Sequence, residues 1–293
     1  MKRLSKIMMV CFMAAIMMMT VGCKKEDIAP IIPDGALPGR FSVSATQQVY
    51  FSQGNLQYQA STNTWRFAEH QYDYVGTQTS DVFGYYGGNV SGSDNSSISS
   101  TYSGWIDLFG WGTGSNPTLS SQIYWDYGTF VDWGSNHISN GGNTANRWRT
   151  LTHAEWEYLL YTRTDALSKC GTGNINGVGG LIILPDSWTL PSGCSFTSGF
   201  ATYNPNNYPD WTHNSYTLAQ WAQMEAAGAV FLPAAGRRKG TNVFDVGTNG
   251  YYWSSTSNGG DCAYGVNFDS FSLGASYYRN RYYGFSVRPV QDN

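Results

Sequence analysis

Beyond Phe41, apolar and polar residues alternate over short stretches broken by turn residues, the pattern of strands with one buried face. "FSVSATQQVYFSQGNLQY" puts Phe41, Val43, Val49, Phe51 and Leu56 at apolar positions, and its "SQGN" predicts a hairpin turn. "TWRFAEHQYDYVG" predicts a further strand around Trp65 and Phe67. The Gly/Ser/Asn/Tyr-rich run 84–103 reads as a long surface loop. "GWIDLFGWGTG" and "IYWDYGTFVDWG" interleave aromatic residues with glycine, which predicts large rings laid over close-packed backbone.

Two stretches switch to the helical period. In "LTHAEWEYLLYTR", Thr152 and Glu155 form a capping box, and Trp156, Leu159 and Leu160 share one face. In "YTLAQWAQMEAAG", Thr217 and Gln220 repeat the box, Leu218, Trp221 and Met224 line the inner face, and Gly228 supplies a left-handed stop. Apolar runs at 181–184 and 229–232 predict strands ended by Pro185 and Pro233. "YYWSSTS", "AYGVNF" and "YGFSVRPV" predict three more strands. In the last of these, Phe285 and Val287 fall on one face and Ser286 and Arg288 on the other, with Arg288 expected to pair with a buried carbonyl or carboxylate. Two helices among many short strands indicate an α+β fold, the helices packed on irregular antiparallel sheets.

The chain start is of another kind. Lys2, Arg3 and Lys6 precede a Met-rich apolar run, the layout of a secretory signal over 1–22. It ends in "TVGC", which resembles a lipobox and makes Cys23 the lipidation site. "KKED" after that cysteine resembles a surface-export signal, and the segment 23–40, with Pro30, Pro33 and Pro38, reads as a semi-extended linker. The domain proper is expected over 41–293.

Composition narrows the function classes. The chain holds 17 Lys and Arg, three of them in the leader, so the mature part has 14 basic against 20 acidic residues, a net charge of −6. There is no basic run, which argues against nucleic acid as a partner. Charge is sparse and aromatics are abundant, as suits an exported, strand- and loop-rich protein. Of five cysteines, Cys11 leaves with the leader and Cys23 carries the lipid. Cys170 and Cys194 could form one disulfide, which would leave Cys262 free.

The ordered motifs "LTHAEWEYLL", "VFLPAAGRR", "GYYWSST", "AYGVNF" and "YGFSVRPV" resemble the FISUMP-type branch of the C-type lectin-like fold, the wider fold of formylglycine-generating enzyme. The resemblance covers 151–290 well and implies an exported bacterial surface protein. The tail 254–290 further resembles the variable region of proteins diversified by retroelements, which rewrite adenines in a template, above all in AAC codons for Asn. Such rewriting yields Tyr, Ser, Asp, Gly, Cys, Phe, Leu and Ala, and never Lys, Glu, Gln, Met or Trp. Those five types are absent from 254–290, although they make up about one residue in eight between Phe41 and Trp253. The resemblance implies rewriting at Gly260, Asp261, Cys262, Gly265, Asp269, Ser272, Gly274, Ser276, Tyr277, Tyr278 and Tyr283. Trp253, Ala263, Val266, Phe268, Arg281, Gly284, Ser286, Val287 and Arg288 look fixed, with Trp253 and Phe268 in the core.

The tail's chemistry suits binding. Tyr gives a large rigid contact with two torsions to freeze, and Gly and Ser allow close approach. Tyr277, Tyr278, Tyr282 and Tyr283 are the expected anchors, Arg279 and Arg281 supply planar donors, and Tyr277 and Tyr278 are expected to cluster with Asp261 and Asp269 on one exposed face. Catalysis finds no such footing. His70, His137, His153 and His213 are scattered, His153 being expected in solvent. Glu155 and Glu157 do not share a helix face. No HExxH, CxxC or GxSxG occurs, and Cys262 lacks the partner that copper chemistry of the formylglycine-generating type needs. Calcium at Asp81, Asp94 or Asp107 has no motif behind it. The sequence therefore reads as a lipid-anchored, outer-membrane, surface-exposed protein that binds a macromolecular or cell-surface ligand, protein or glycan, without catalysis, cofactor or metal. A non-diversified adhesin or pilus-tip protein of the same fold is the alternative, and a formylglycine-generating-type enzyme the third reading.

Overall fold

The first expected strand begins earlier than its alternation suggests. In the computed structural model, which describes residues 31–76 and 94–293, β1 spans Ala36–Ser42, with Leu37, Gly39 and Phe41 turned inward and Pro38 and Arg40 outward. The linker therefore ends near residue 35 instead of 40. The leader, Cys23 and Asp81 lie outside the described residues. Strands β2 (Gln48–Ser52), β3 (Leu56–Gln59), β4 (Thr64–Phe67) and β5 (Trp105–Ile106) precede α1 (His153–Glu157), which runs on into a π-turn over 158–162. Then come β6 (Cys170–Ile175), β7 (Val178–Ile183), β8 (Ser215–Tyr216), α2 (Leu218–Ala226), β9 (Val230–Pro233), β10 (Arg237–Lys239) and β11 (Asn242–Phe244). The tail holds β12 (Gly250–Ser257), β13 (Cys262–Phe268), β14 (Leu273–Asn280), β15 (Tyr283–Gly284) and β16 (Val290–Asp292). The result is a mixed α/β arrangement of small sheets with few helices.

These strands form five sheets, in the orders β1-β2-β16, β4-β3-β5, β8-β6-β7-β9, β11-β10-β15 and β12-β13-β14. Every pairing but β6–β8 is antiparallel. The early hairpin turns at 44–47, where the Val43 amide reaches the Gln47 carbonyl. "SQGN" is a corner and not a hairpin turn, because it carries the chain from β2 into a different sheet. The apolar run of β7 is buried on both sides: Leu181 and Ile183 join a cluster with Trp156 of α1 and Leu159 of the π-turn, while Ile182 packs with Trp221 and Met224 of α2. A third cluster gathers Trp65, Trp133, Trp253 and Phe285, joining the front strands to the tail. β16 pairs with β2, so the last residues close the N-terminal sheet. Residues Ile32–Asn293 make one compact unit.

Both capping boxes form. Thr152 Oγ1 accepts from the Glu155 amide, and Glu155 Oε2 accepts from the Thr152 amide at 2.7 Å. Glu155 is also held by Arg149, which bridges to Asp292 of β16. Thr152→Ala should lower stability by about 1 kcal/mol, read as a lower urea midpoint at unchanged slope. In α2, Trp221 and Met224 are buried as expected, but Leu218 is 47% exposed. It is the first helical residue after the cap and faces solvent. Gly228 takes φ +96°.

Four other expectations change. Leu273–Asn280 form β14, a full strand. "YGFSVRPV" is split into β15 and an extended crossing, where Phe285 bridges to Phe109 before β16. The described part of the 84–103 run is not all surface loop: Asn95 and Ile98 are buried, and Asn95 ties to Asp107. Cys170 and Cys194 are free thiols, Cys170 in the core and Cys194 against the Gln220 carbonyl.

Arg288 is fully buried, as expected of a structural residue. Its partners are the side-chain amide oxygens of Gln71 (2.8 Å) and Asn55, not a carboxylate. Arg238 is likewise buried, and donates to the carbonyls of Leu108 and Gly240.

Candidate binding face

The sheet β12-β13-β14 has two faces, and its register decides which tail residues meet water. Trp253 lies across from Gly265, Tyr264 from Tyr278 and Gly265 from Tyr277. Tyr252, Val266 and Phe268 join the α1-side cluster, while Trp253 and Ala263 join the other. All the residues that look fixed are buried except Arg281, which is half-exposed. Arg281 is nevertheless a clamp: its guanidinium lies 4.6 Å from the Trp111 ring and donates to Ser257 Oγ and to the Tyr127 and Gly128 carbonyls.

Of the eleven positions expected to vary, Gly260, Ser272, Ser276 and Tyr278 are exposed, and Asp261, Cys262, Gly274, Tyr277 and Tyr283 half-buried. Gly265 and Asp269 contradict the expectation. A Cβ at Gly265 would lie 2.6 Å from the Tyr252 carbonyl oxygen, so the neighbouring strand occupies the space. Asp269 is only 8% exposed and holds the β13–β14 turn, accepting from the Phe271 amide and Ser272 Oγ.

The expected single cluster of Tyr277, Tyr278, Asp261 and Asp269 does not form. Tyr277 and Tyr278 are successive residues of β14 and therefore point to opposite faces. Tyr277 packs against Tyr251 and Phe285, and Tyr278 against Tyr264. Asp261 and Asp269 flank β13, roughly 25 Å apart along an extended strand.

The exposed tail residues divide among three places instead. On the α1 side, His153 is not solvated: it stacks on Tyr264 at 4.0 Å and 6°, and Ser276 Oγ bridges His153 Nε2 and Glu157 Oε1. At the β12–β13 turn, Gly260, Asp261 and Arg281 line a cleft of about 410 Å³ with Tyr124, Trp125 and Tyr127. Trp125 is 74% exposed and in ring contact with Tyr124, so this aromatic pair stands out from the backbone instead of covering it. Tyr127 does cover backbone, its ring filling the space beside Gly110. Asp261 accepts from Asn280 and lies beside Cys262, whose thiol is pushed up by burial and by that carboxylate. A thiol held protonated is a poor nucleophile or metal ligand.

The third place is the face of Tyr277, Tyr282 and Tyr283, where the tail meets β10. The chain reads as free of basic runs, yet β10 is three consecutive cations. Arg238 turns inward while Arg237 and Lys239 flank the tyrosines. Sequence reasoning missed Tyr124, Trp125, Arg237 and Lys239; the "RRK" triplet was the available signal for the last two. Among the described residues no group of three His, Cys, Asp or Glu side chains is placed to hold a metal, and Asp107 is occupied by the Val75 amide and Asn95. No helix among them is long and apolar enough to cross a membrane. No family model, curated protein or solved structure matches this chain.

Proposed function

We propose that this chain is a surface-displayed binding lipoprotein, anchored through Cys23 at the outer membrane, whose C-type lectin-like scaffold presents a retroelement-diversified tail. The observation that carries the reading is the segregation within 254–290. Nine of the eleven positions expected to vary keep exposure, while eight of the nine residues that look fixed are buried. Small antiparallel sheets around two capped helices support the lectin-like scaffold. The ligand is a macromolecule or cell-surface molecule, held by constant and variable residues together.

The test is genomic. A near-copy of the DNA encoding 254–290 should lie beside a reverse-transcriptase gene and differ only at adenines. Those differences should fall on the codons of Gly260, Ser272, Ser276 and Tyr278, and spare Val266 and Phe268. A complete genome without such a copy would sink the diversification reading.

A further inference from the structure

Arg237 and Lys239 belong to β10, outside the tail, yet they share a surface with it because β10 pairs with β15, Lys239 opposite Tyr283. Lys239 Nζ is 6.0 Å from the ring centres of both Tyr282 and Tyr283, which stack on each other at 5.1 Å and 25°. The Arg237 guanidinium lies 5.3 Å from Tyr251 and 5.5 Å from Tyr283, and that of Arg279 4.5 Å from Tyr277. Arg237 is neutralised by Asp245 at 2.7 Å. Lys239 and Arg279 have no carboxylate partner among the described residues, and Arg279 donates only to the Tyr278 carbonyl. In a chain of net negative charge, this face is a local cationic exception floored with flat rings.

We propose that this face binds an acidic polysaccharide. The sugar rings lie on the Tyr282–Tyr283 platform, and carboxylate or sulfate groups pair with Lys239 and Arg279. The chemistry discriminates among polyanions. An acidic peptide supplies charge but no flat apolar face for a two-ring floor. A nucleic acid draws its affinity from many phosphate contacts, and this face offers two free cations. A glycan carries charged groups beside apolar ring faces, and this face sets two cations beside tyrosine rings. The inference rests on the binding role proposed above, and it adds that Lys239, which lies outside the tail, supplies part of the charge that meets the ligand.

The experiment is a calorimetric titration of the purified protein with oligogalacturonate and, separately, dextran sulfate, beside the methyl-esterified and unsulfated forms of each. At least one charged oligomer should bind, and whichever does so identifies the anion. Its neutral form should bind at least about tenfold more weakly. The Lys239→Gln/Arg279→Gln double variant should lose at least about tenfold while keeping its melting temperature, and Arg147→Gln, removing an exposed cation outside the tail and β10, should leave affinity unchanged. The proposal is overturned if neither charged oligomer binds, if the neutral form binds equally, if the double variant binds as well as the parent, or if poly-glutamate or a single-stranded oligonucleotide binds more tightly. A missing genomic template would end the diversification reading and leave this titration untouched; a failed titration would leave the template test standing.

Discussion

Serine in place of Gly265 should destabilise the folded protein by about 3 kcal/mol, whereas serine in place of Gly274 should cost less than about 0.5 kcal/mol. Both glycines are codon-reachable from Asn, so composition alone treats them alike. Their surroundings do not. The Cβ of a residue at 265 meets the Tyr252 carbonyl oxygen at 2.6 Å, and that oxygen belongs to the adjoining strand of the same sheet. It can retreat only if β12 moves, and β12 carries Trp253, stacked at 4.1 Å on Phe285, and Tyr252, fully buried. At Gly274 the nearest atom is 4.0 Å away. Urea unfolding followed by fluorescence measures both, with the midpoint falling at unchanged slope for Gly265→Ser. Equal stabilities for the two variants would mean that the tail's inner ladder yields easily, and the division between fixed and free positions would lose its physical basis.

The pairing of glycine with exposure could not be read from residue types, and the same holds for β14. Strand prediction needs one face to be apolar, but Tyr277 and Tyr278 pack against rings on opposite sides of the sheet, so the segment shows no period of two. Missing that strand is what put both tyrosines on one imagined face. The early start of β1 was hidden by Pro38. A proline is tolerated there because β1 is an edge strand and residue 38 points outward. By contrast, the capping boxes at Thr152 and Thr217 were legible because a cap is a local bargain between residues three apart, independent of tertiary packing. Trp156, Trp221 and Trp253 were legible as core for a similar reason: rings of that size at regular spacing have nowhere else to go. The site was half-legible. The tail announces itself by what it lacks, but its partners Trp125, Arg237 and Lys239 come from distant segments that only the fold brings alongside.

Raising the pH from 10 to 12 should unfold the protein. Four buried tyrosines hold their phenols protonated: burial pushes Tyr127 up to about 12, and Tyr216, Tyr251 and Tyr252 are raised further still. Each donates its hydroxyl inward, to the Ser121 carbonyl, the Ser195 carbonyl, Asp245 and the Pro233 carbonyl respectively. An ionised phenol cannot donate, so these bonds exist only in the neutral form. The unfolded chain ionises tyrosine near 10. Because the folded values lie above the unfolded one, the stability these groups contribute is whole below pH 10 and falls progressively above it, up to about 12 for Tyr127 and beyond for the other three. The loss is roughly 1.4 kcal/mol per group per pH unit, on the order of 10 kcal/mol for four groups over two units. Arg238 and Arg288 work the other way: burial lowers both to about 10, which offsets part of that loss. The four phenols outnumber the two guanidiniums, so the balance runs against the folded state. Near-ultraviolet circular dichroism and tyrosinate absorbance, followed together, give the measurement. A subset of tyrosines should ionise only as the dichroism collapses, at a midpoint well above 10. If every tyrosine titrates near 10 while the dichroism persists, the buried hydroxyl bonds do not hold the interior as described.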